Sequence, residues 1–224
     1  MTKLEKTKRY LFFLLGLFIS SFGVSLVTKS NLGTSPISSI PYTLSLGYAP
    51  TIGAFTMVFS VILIIFQLMI LRKNFPKEYW LQIPVSILFS YFIDLTMDML
   101  YFLQPETYIL KLFYLIIGCV ILALGVFIEV VANVVMLPGE CFVKAVSDTY
   151  NKDFGKTKVV FDSTMSIMAM LIGIVLFHEL AGVREGTIVA ALLVGMVVKV
   201  FKSRFSFIEE FLIDYKNVER QNVV

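Results

Sequence analysis

The sequence predicts an all-α polytopic membrane bundle of six long spans and two short broken or re-entrant helices, arranged as an inverted 3+3 internal repeat. Three observations point to it: apolar runs of membrane-crossing length, basic residues gathered at alternate helix ends, and a gapless self-match at an offset of 102 residues.

Of 224 residues, 58% are hydrophobic and 16% charged, where an ordinary soluble domain carries about 25% charged residues. The apolar residues lie in runs of about 20, the length that crosses about 30 Å of hydrocarbon. They read as Tyr10–Thr28, Ile52–Leu71, Tyr79–Phe102, Ile109–Ala132, Val159–Phe177 and Thr187–Phe201. Thr34–Leu46 and Leu137–Tyr150 are too short or too polar for a comfortable crossing. No composition shift divides the chain, so a single membrane domain is expected, with repeats over 1–103 and 104–204 and an amphipathic cytoplasmic tail over 205–224. In that tail Phe207, Ile208, Phe211, Leu212 and Tyr215 recur at helical spacing beside Glu209, Glu210 and Asp214, a pattern suited to a membrane surface.

The net charge of +3 reflects topology rather than nucleic-acid binding. Lys3, Lys6, Lys8 and Arg9 precede the first span; Arg72, Lys73 and Lys77 follow the second; Lys144, Lys152, Lys156 and Lys158 lie between the fourth and fifth; Lys199, Lys202 and Arg204 close the sixth. Only Lys29, Lys111 and Arg184 fall at the opposite ends. Six crossings with both termini cytoplasmic satisfy the positive-inside rule. The first apolar run outlasts a signal peptide and no A-x-A-like site follows it.

In the self-match Gly16 falls on Gly118, Gly23 on Gly125, Asn31 on Asn133, Pro36 on Pro138, Tyr48 on Tyr150, Gly53 on Gly155 and Phe59 on Phe161. Each half reads as long span, short broken element, long span, long span. Three crossings being odd, the second copy enters the membrane upside down, an arrangement shared by many secondary transporters. A duplicated scaffold that moves nothing has the same pattern. Gly16 and Gly23, like Gly118 and Gly125, are seven apart and suit close helix packing.

The broken elements supply the candidate solute site. Gly33 permits a tight turn; Thr34 or Ser35 can cap a helix with Pro36 at its first position; Ser38 and Ser39 add hydroxyls. Such a terminus favours an anion, although an ordinary capped helix start reads the same way. Pro138, Gly139 and Glu140 form the second element, whose carboxylate suits a proton, a cation or a cationic solute group. Within the spans Glu129 and Asp94 are deeply placed charges, which ordinarily face a cavity or a partner; Asp98 lies one turn beyond Asp94. Lys158 and Asp162 are four apart and suit a mutual salt bridge. Arg184 beside Glu185, between Gly182 and Gly186, either attracts an anionic solute or anchors to headgroups, and His178 with Glu179 reads as interfacial. The candidate residues are therefore Gly33, Thr34, Ser35, Ser38, Pro138, Gly139, Glu140 and Arg184 for the solute, and Asp94, Glu129, Glu140 and Asp162 for protons or ions.

No enzyme signature is present: no HExxH, no nucleophile elbow with a partner histidine, no Walker loop. With one histidine, His178, and with Cys119 and Cys141 lacking ligand spacing, neither a metal site nor another cofactor is expected. Gly33-Thr34-Ser35-Pro36, Pro138-Gly139-Glu140, Asp153-Phe154-Gly155-Lys156 leading into Val160-Phe161-Asp162, and Arg184-Glu185-Gly186-Thr187 leading into Leu193-Val194-Gly195 together resemble the bacterial YczE/YyaS/YitT-type membrane proteins. The likeness runs from about Tyr10 to Lys202. It implies a multi-pass protein of the bacterial cytoplasmic membrane and transfers no substrate or catalytic residue.

The expectation is a secondary transporter or exporter of a small anionic or zwitterionic solute. Its partners are the lipid bilayer and that solute, without nucleic acid; a homo-oligomer is compatible with the pattern. Competing readings are the membrane subunit of an energy-coupling-factor importer, against which the inverted repeat argues, and a non-transporting scaffold or regulator.

Overall fold

The computed structural model describes residues 3–179 and 181–205. Among them it forms eight α-helices: α1 Lys3–Lys29, α2 Pro36–Gly47, α3 Ile52–Leu71, α4 Gln82–Met99, α5 Tyr108–Ala132, α6 Pro138–Thr149, α7 Phe154–Phe177 and α8 Glu185–Arg204. Two 3₁₀ turns, Arg72–Asn74 and Lys77–Leu81, join α3 to α4. Six of the helices are long and apolar enough to cross a membrane. The other two, α2 and α6, have 12 residues each, or about 18 Å at 1.5 Å per residue, well short of a crossing.

The boundaries differ from the apolar runs where polar residues are good helix formers. Helix α1 begins at Lys3 rather than Tyr10, because Lys, Glu and Arg continue a helix readily. Helix α7 begins at Phe154 rather than Val159, since the Asp153 carboxylate accepts the Lys156 N–H at 2.9 Å and caps it. Helix α8 runs from Glu185 to Arg204, beyond both ends of its apolar run. Helix α4 stops at Met99, and residues 100–102 turn out of it. The expected amphipathic tail helix lies outside the described residues, except for Phe205, which caps α8.

Asn31 and Asn133 follow α1 and α5 in left-handed conformation, with φ of 57° and 49°. Asparagine tolerates this conformation, which accounts for its presence at both sites. Gly33, at φ 111°, turns the chain into α2. Ser35 stands at the N-cap with Pro36 at the first position, yet it makes no side-chain cap bond; its hydroxyl donates instead to Ser38 Oγ at 2.9 Å.

Helices α1 and α5 cross antiparallel at the centre of the bundle. A Cβ on Gly16 would strike Glu129 and the Gly125 carbonyl; one on Gly23 the Leu122 backbone; one on Gly118 Val27; one on Gly125 Ser20. These pairs map onto each other when 102 is added to one member and subtracted from the other. Around this crossing α2 packs on α7 and α6 on α3, while α4 packs on α1 and α8 on α5.

With the Leu122 backbone against it, Gly23 has no room for a side chain. Gly23→Val is expected to destabilise the protein by about 1–3 kcal/mol through overpacking. Gly195→Ala, where a Cβ meets nothing within 4 Å, should not destabilise it and should add up to about 1 kcal/mol, alanine being the better helix former. Thermal unfolding in detergent checks the pair; equal effects would refute the packing account.

Candidate functional site

The start of α6 gathers the charged residues. Pro138 and Gly139 are buried, and Glu140 is half-buried in the first turn. Lys158 and Asp162, one turn apart on α7, form a salt bridge at 2.9 Å, and both stand within electrostatic reach of Glu140. Glu129 of α5 interacts with Glu140 from another side. It is 8% exposed and accepts a hydrogen bond from Ser20 Oγ of α1. Three carboxylates and one ammonium thus share one region inside an apolar bundle. Among the described residues no three acidic, histidine or cysteine side chains are placed to hold a metal ion.

Helix α6 lies outside the six candidate spans. Burial pushes the Glu140 carboxyl above its ordinary range, Lys158 draws it back, and Asp162 pushes it further up. An ionised Glu140 is consequently a liability to the fold.

The Gly33–Ser38 element has a different setting. A Cβ on Gly33 would collide with Thr187 Oγ1 and the Arg184 backbone. The Thr34 N–H donates to Thr187 Oγ1 at 3.3 Å, and the Thr34 and Thr28 hydroxyls share a bond of 2.9 Å. Ser35 is bonded to Ser38, so the Thr34 amide and the Thr34 and Ser35 hydroxyls are engaged within the protein. Arg184 donates from Nη1 to the Asn31 carbonyl at 3.2 Å and pairs with Glu185 at 3.5 Å.

Arg184 also lines a cavity of about 390 Å³ with Asn31, Gly33, Tyr42, Glu179 and Gly182. A neighbouring cavity of about 730 Å³ shares Asn31, Tyr42 and Leu46 with it and is lined further by Lys29, Asp98 and Glu106. Asp94 borders the larger cavity, but its carboxylate accepts Thr51 Oγ1–H at 2.7 Å and the Gly53 N–H at 2.8 Å, so it ties α4 to the start of α3. The candidate residues therefore fall into two groups. Lys158 stands one turn into α7, whereas Gly182 and Arg184 lie in the loop after its other end.

Between the groups Gly139 of α6 lies against Ile37 of α2, its nearest approach being 3.0 Å from a Cβ position to Ile37 Cδ1. The two broken helices thus meet at their first turns. Two features escape the sequence patterns, Ser20 and the Gln67–Gln82 pair. The two glutamines exchange hydrogen bonds of 3.1 and 3.0 Å, and Gln67 also donates to the Pro138 carbonyl at 3.1 Å. An amide standing alone in Ile-Ile-Phe-Gln-Leu-Met is the signal that could have found Gln67.

Folding raises the Glu140 pKa. Its neutral form therefore favours the fold at pH values below the ordinary glutamate pKa of about 4.3. That contribution is lost as pH rises through the raised value. Glu140→Gln is expected to raise the Tm at pH 7.5 and to leave it unchanged near pH 4. A Tm at pH 7.5 equal to or below that of the parent protein refutes this assignment of Glu140.

Comparison with known proteins places this arrangement among relatives. The chain is 26% identical over 198 residues to the uncharacterized protein YyaS of Bacillus subtilis (strain 168), covering 86% of this chain and 92% of that protein. No solved structure matches. The model of the family of unknown function DUF6198 matches residues 7–203, nearly the whole described bundle, and the chain belongs to that family.

Proposed function

We propose that the chain is a multi-pass protein of the bacterial cytoplasmic membrane. Its halves are inverted copies that carry a small polar solute across the bilayer by alternating access, without covalent chemistry. The observation that carries this reading is the meeting of Glu129, Glu140, Lys158 and Asp162 at the first turn of a broken helix. Charges inside an apolar bundle are costly and ordinarily serve a pathway or a relay.

The contact pairs support the inverted relation. Gly16 with Glu129 exchanges with Val27 and Gly118, and Ser20 with Gly125 exchanges with Gly23 and Leu122. Self-complementary pairing of this kind is the mark of a two-fold axis. Because α1 and α5 run antiparallel, that axis lies across the helices rather than along them. Ile37 and Gly139 are themselves 102 apart and touch, so the first turns of α2 and α6 stand at the axis. Transporters with inverted repeats place their sites in this position. The basic residues at the ends of α3, α6 and α8 favour cytoplasmic termini.

The chemistry of the cluster favours a solute with a cationic group, in a zwitterion above all, over a simple anion. Glu140 offers a partner to an ammonium, beside Glu129, which is held by Ser20, and the Lys158–Asp162 pair. The Thr34 amide and the Thr34 and Ser35 hydroxyls are already engaged. A thermal-shift screen of small zwitterions and amines on purified protein, followed by flux into proteoliposomes, tests the reading. Glu140→Gln, correctly inserted, should reduce flux of the stabilising solute at least about 10-fold, the effect of about 1.4 kcal/mol at one contact. Flux at the parent rate would remove Glu140 from the pathway.

A further inference from the structure

The two halves differ at one seam. In the first half α3 packs along α4, whereas among the described residues α7 makes no comparable contact with α8. On α4, Gln82, Ser86, Ser90 and Asp94 follow one another at four-residue intervals and form one stripe. This stripe faces α3. Gln82 is bonded to Gln67 at one end, Asp94 to Thr51 and Gly53 at the other, and a Cβ on Gly53 would strike the Ser90 carbonyl. Thr56 and Ser60 continue the Gly53 face of α3 and are buried.

The interior of the seam is polar but unsatisfied. Ser86 and Ser90 are 2% and 5% exposed, and their buried hydroxyls have no hydrogen-bond partner. Lone buried hydroxyls are unusual and call for an explanation. At the 102-residue offset Gly53, Thr56 and Ser60 correspond to Gly155, Lys158 and Asp162. Gly155 has no neighbour from another helix, a Cβ there meeting only Asp153. Lys158 and Asp162 remain part-exposed, at 27% and 18%. The same face is fully covered in one half and only partly covered in the other.

We propose that the α3–α4 seam is a closed gate, clasped by Asp94 at one end and by Gln67 and Gln82 at the other. In the alternate conformation it opens, wetting Ser86 and Ser90, while α8 closes over the Lys158–Asp162 face of α7. This rests on the transport reading for its purpose, but the opening itself is a property of the protein without solute. Asp94 acts here as a positioning residue, holding the start of α3 against α4.

The test is labelling of Ser90→Cys by a charged, membrane-impermeant thiol reagent in native membranes, with the parent protein, whose Cys119 and Cys141 are buried, as background. With Asp94 intact the cysteine should react slowly. Adding Asp94→Ala should speed the reaction at least 10-fold. Ser25→Cys, buried where α1 meets Thr96 of α4, should stay slow in both backgrounds. An unchanged Ser90→Cys rate overturns the gate, as does an equal rise at Ser25→Cys, which marks general loosening. If Asp94→Ala is not recovered folded, Gln82→Met removes the other clasp, and the same two results at Ser90→Cys and Ser25→Cys overturn the gate. None of these rates depends on a solute, so their failure leaves the flux result with Glu140→Gln to judge the transport reading separately.

Discussion

The close antiparallel crossing of α1 and α5 is the constraint on which the remaining structure depends. Lipid tails are as apolar as leucine, so helices in a bilayer associate through packing and interhelical hydrogen bonds rather than through hydrophobic exclusion. Gly23, Gly118 and Gly125 each bring the facing backbone to a distance that a side chain would prevent, and Gly16 leaves only tight room beside Glu129. Only at that separation does Ser20 reach Glu129. The same crossing leaves room on either side for the two short helices, which fill the bundle between the long ones.

Those short helices expose irregular backbone at depth, tolerable in a membrane only where protein or water satisfies it. The structure supplies partners one by one. Arg184 serves the Asn31 carbonyl, Thr187 the Thr34 amide, Gln67 the Pro138 carbonyl, and the Gly186 N–H the Leu32 carbonyl at 2.8 Å. Most of these partners come from a different helix, so the broken elements are held by the fold rather than by their own sequence. Thr34 is bonded to Thr187 and Thr28, and Ser35 to Ser38 within its own helix start.

Glu140 stands apart from that pattern. Glu129 has Ser20, Asp162 has Lys158, and Asp94 has the start of α3; each is explained by a bond. Glu140 stands near Glu129, Lys158 and Asp162, and among the described residues its side chain has no hydrogen-bond partner.

How much could be read beforehand follows from which forces are local. The helical class, the six long apolar segments and the two short elements were legible, because apolar runs, prolines and glycines act within a few residues of their own position. The Lys158–Asp162 pair was legible for the same reason, being one turn apart on one helix. The helix ends were less so, since capping by Asp153 and the helix propensity of lysine extend helices past the apolar runs.

What only the tertiary structure decided were the pairings across helices. Ser20 with Glu129, Gln67 with Gln82 and Pro138, and Asp94 with Gly53 join residues 109, 15, 71 and 41 positions apart. A hydroxyl or carboxylate carries no mark of whether it will bind a solute or fasten a helix. That choice is made by what the packed neighbours leave unsatisfied, and packing is a property of the whole chain.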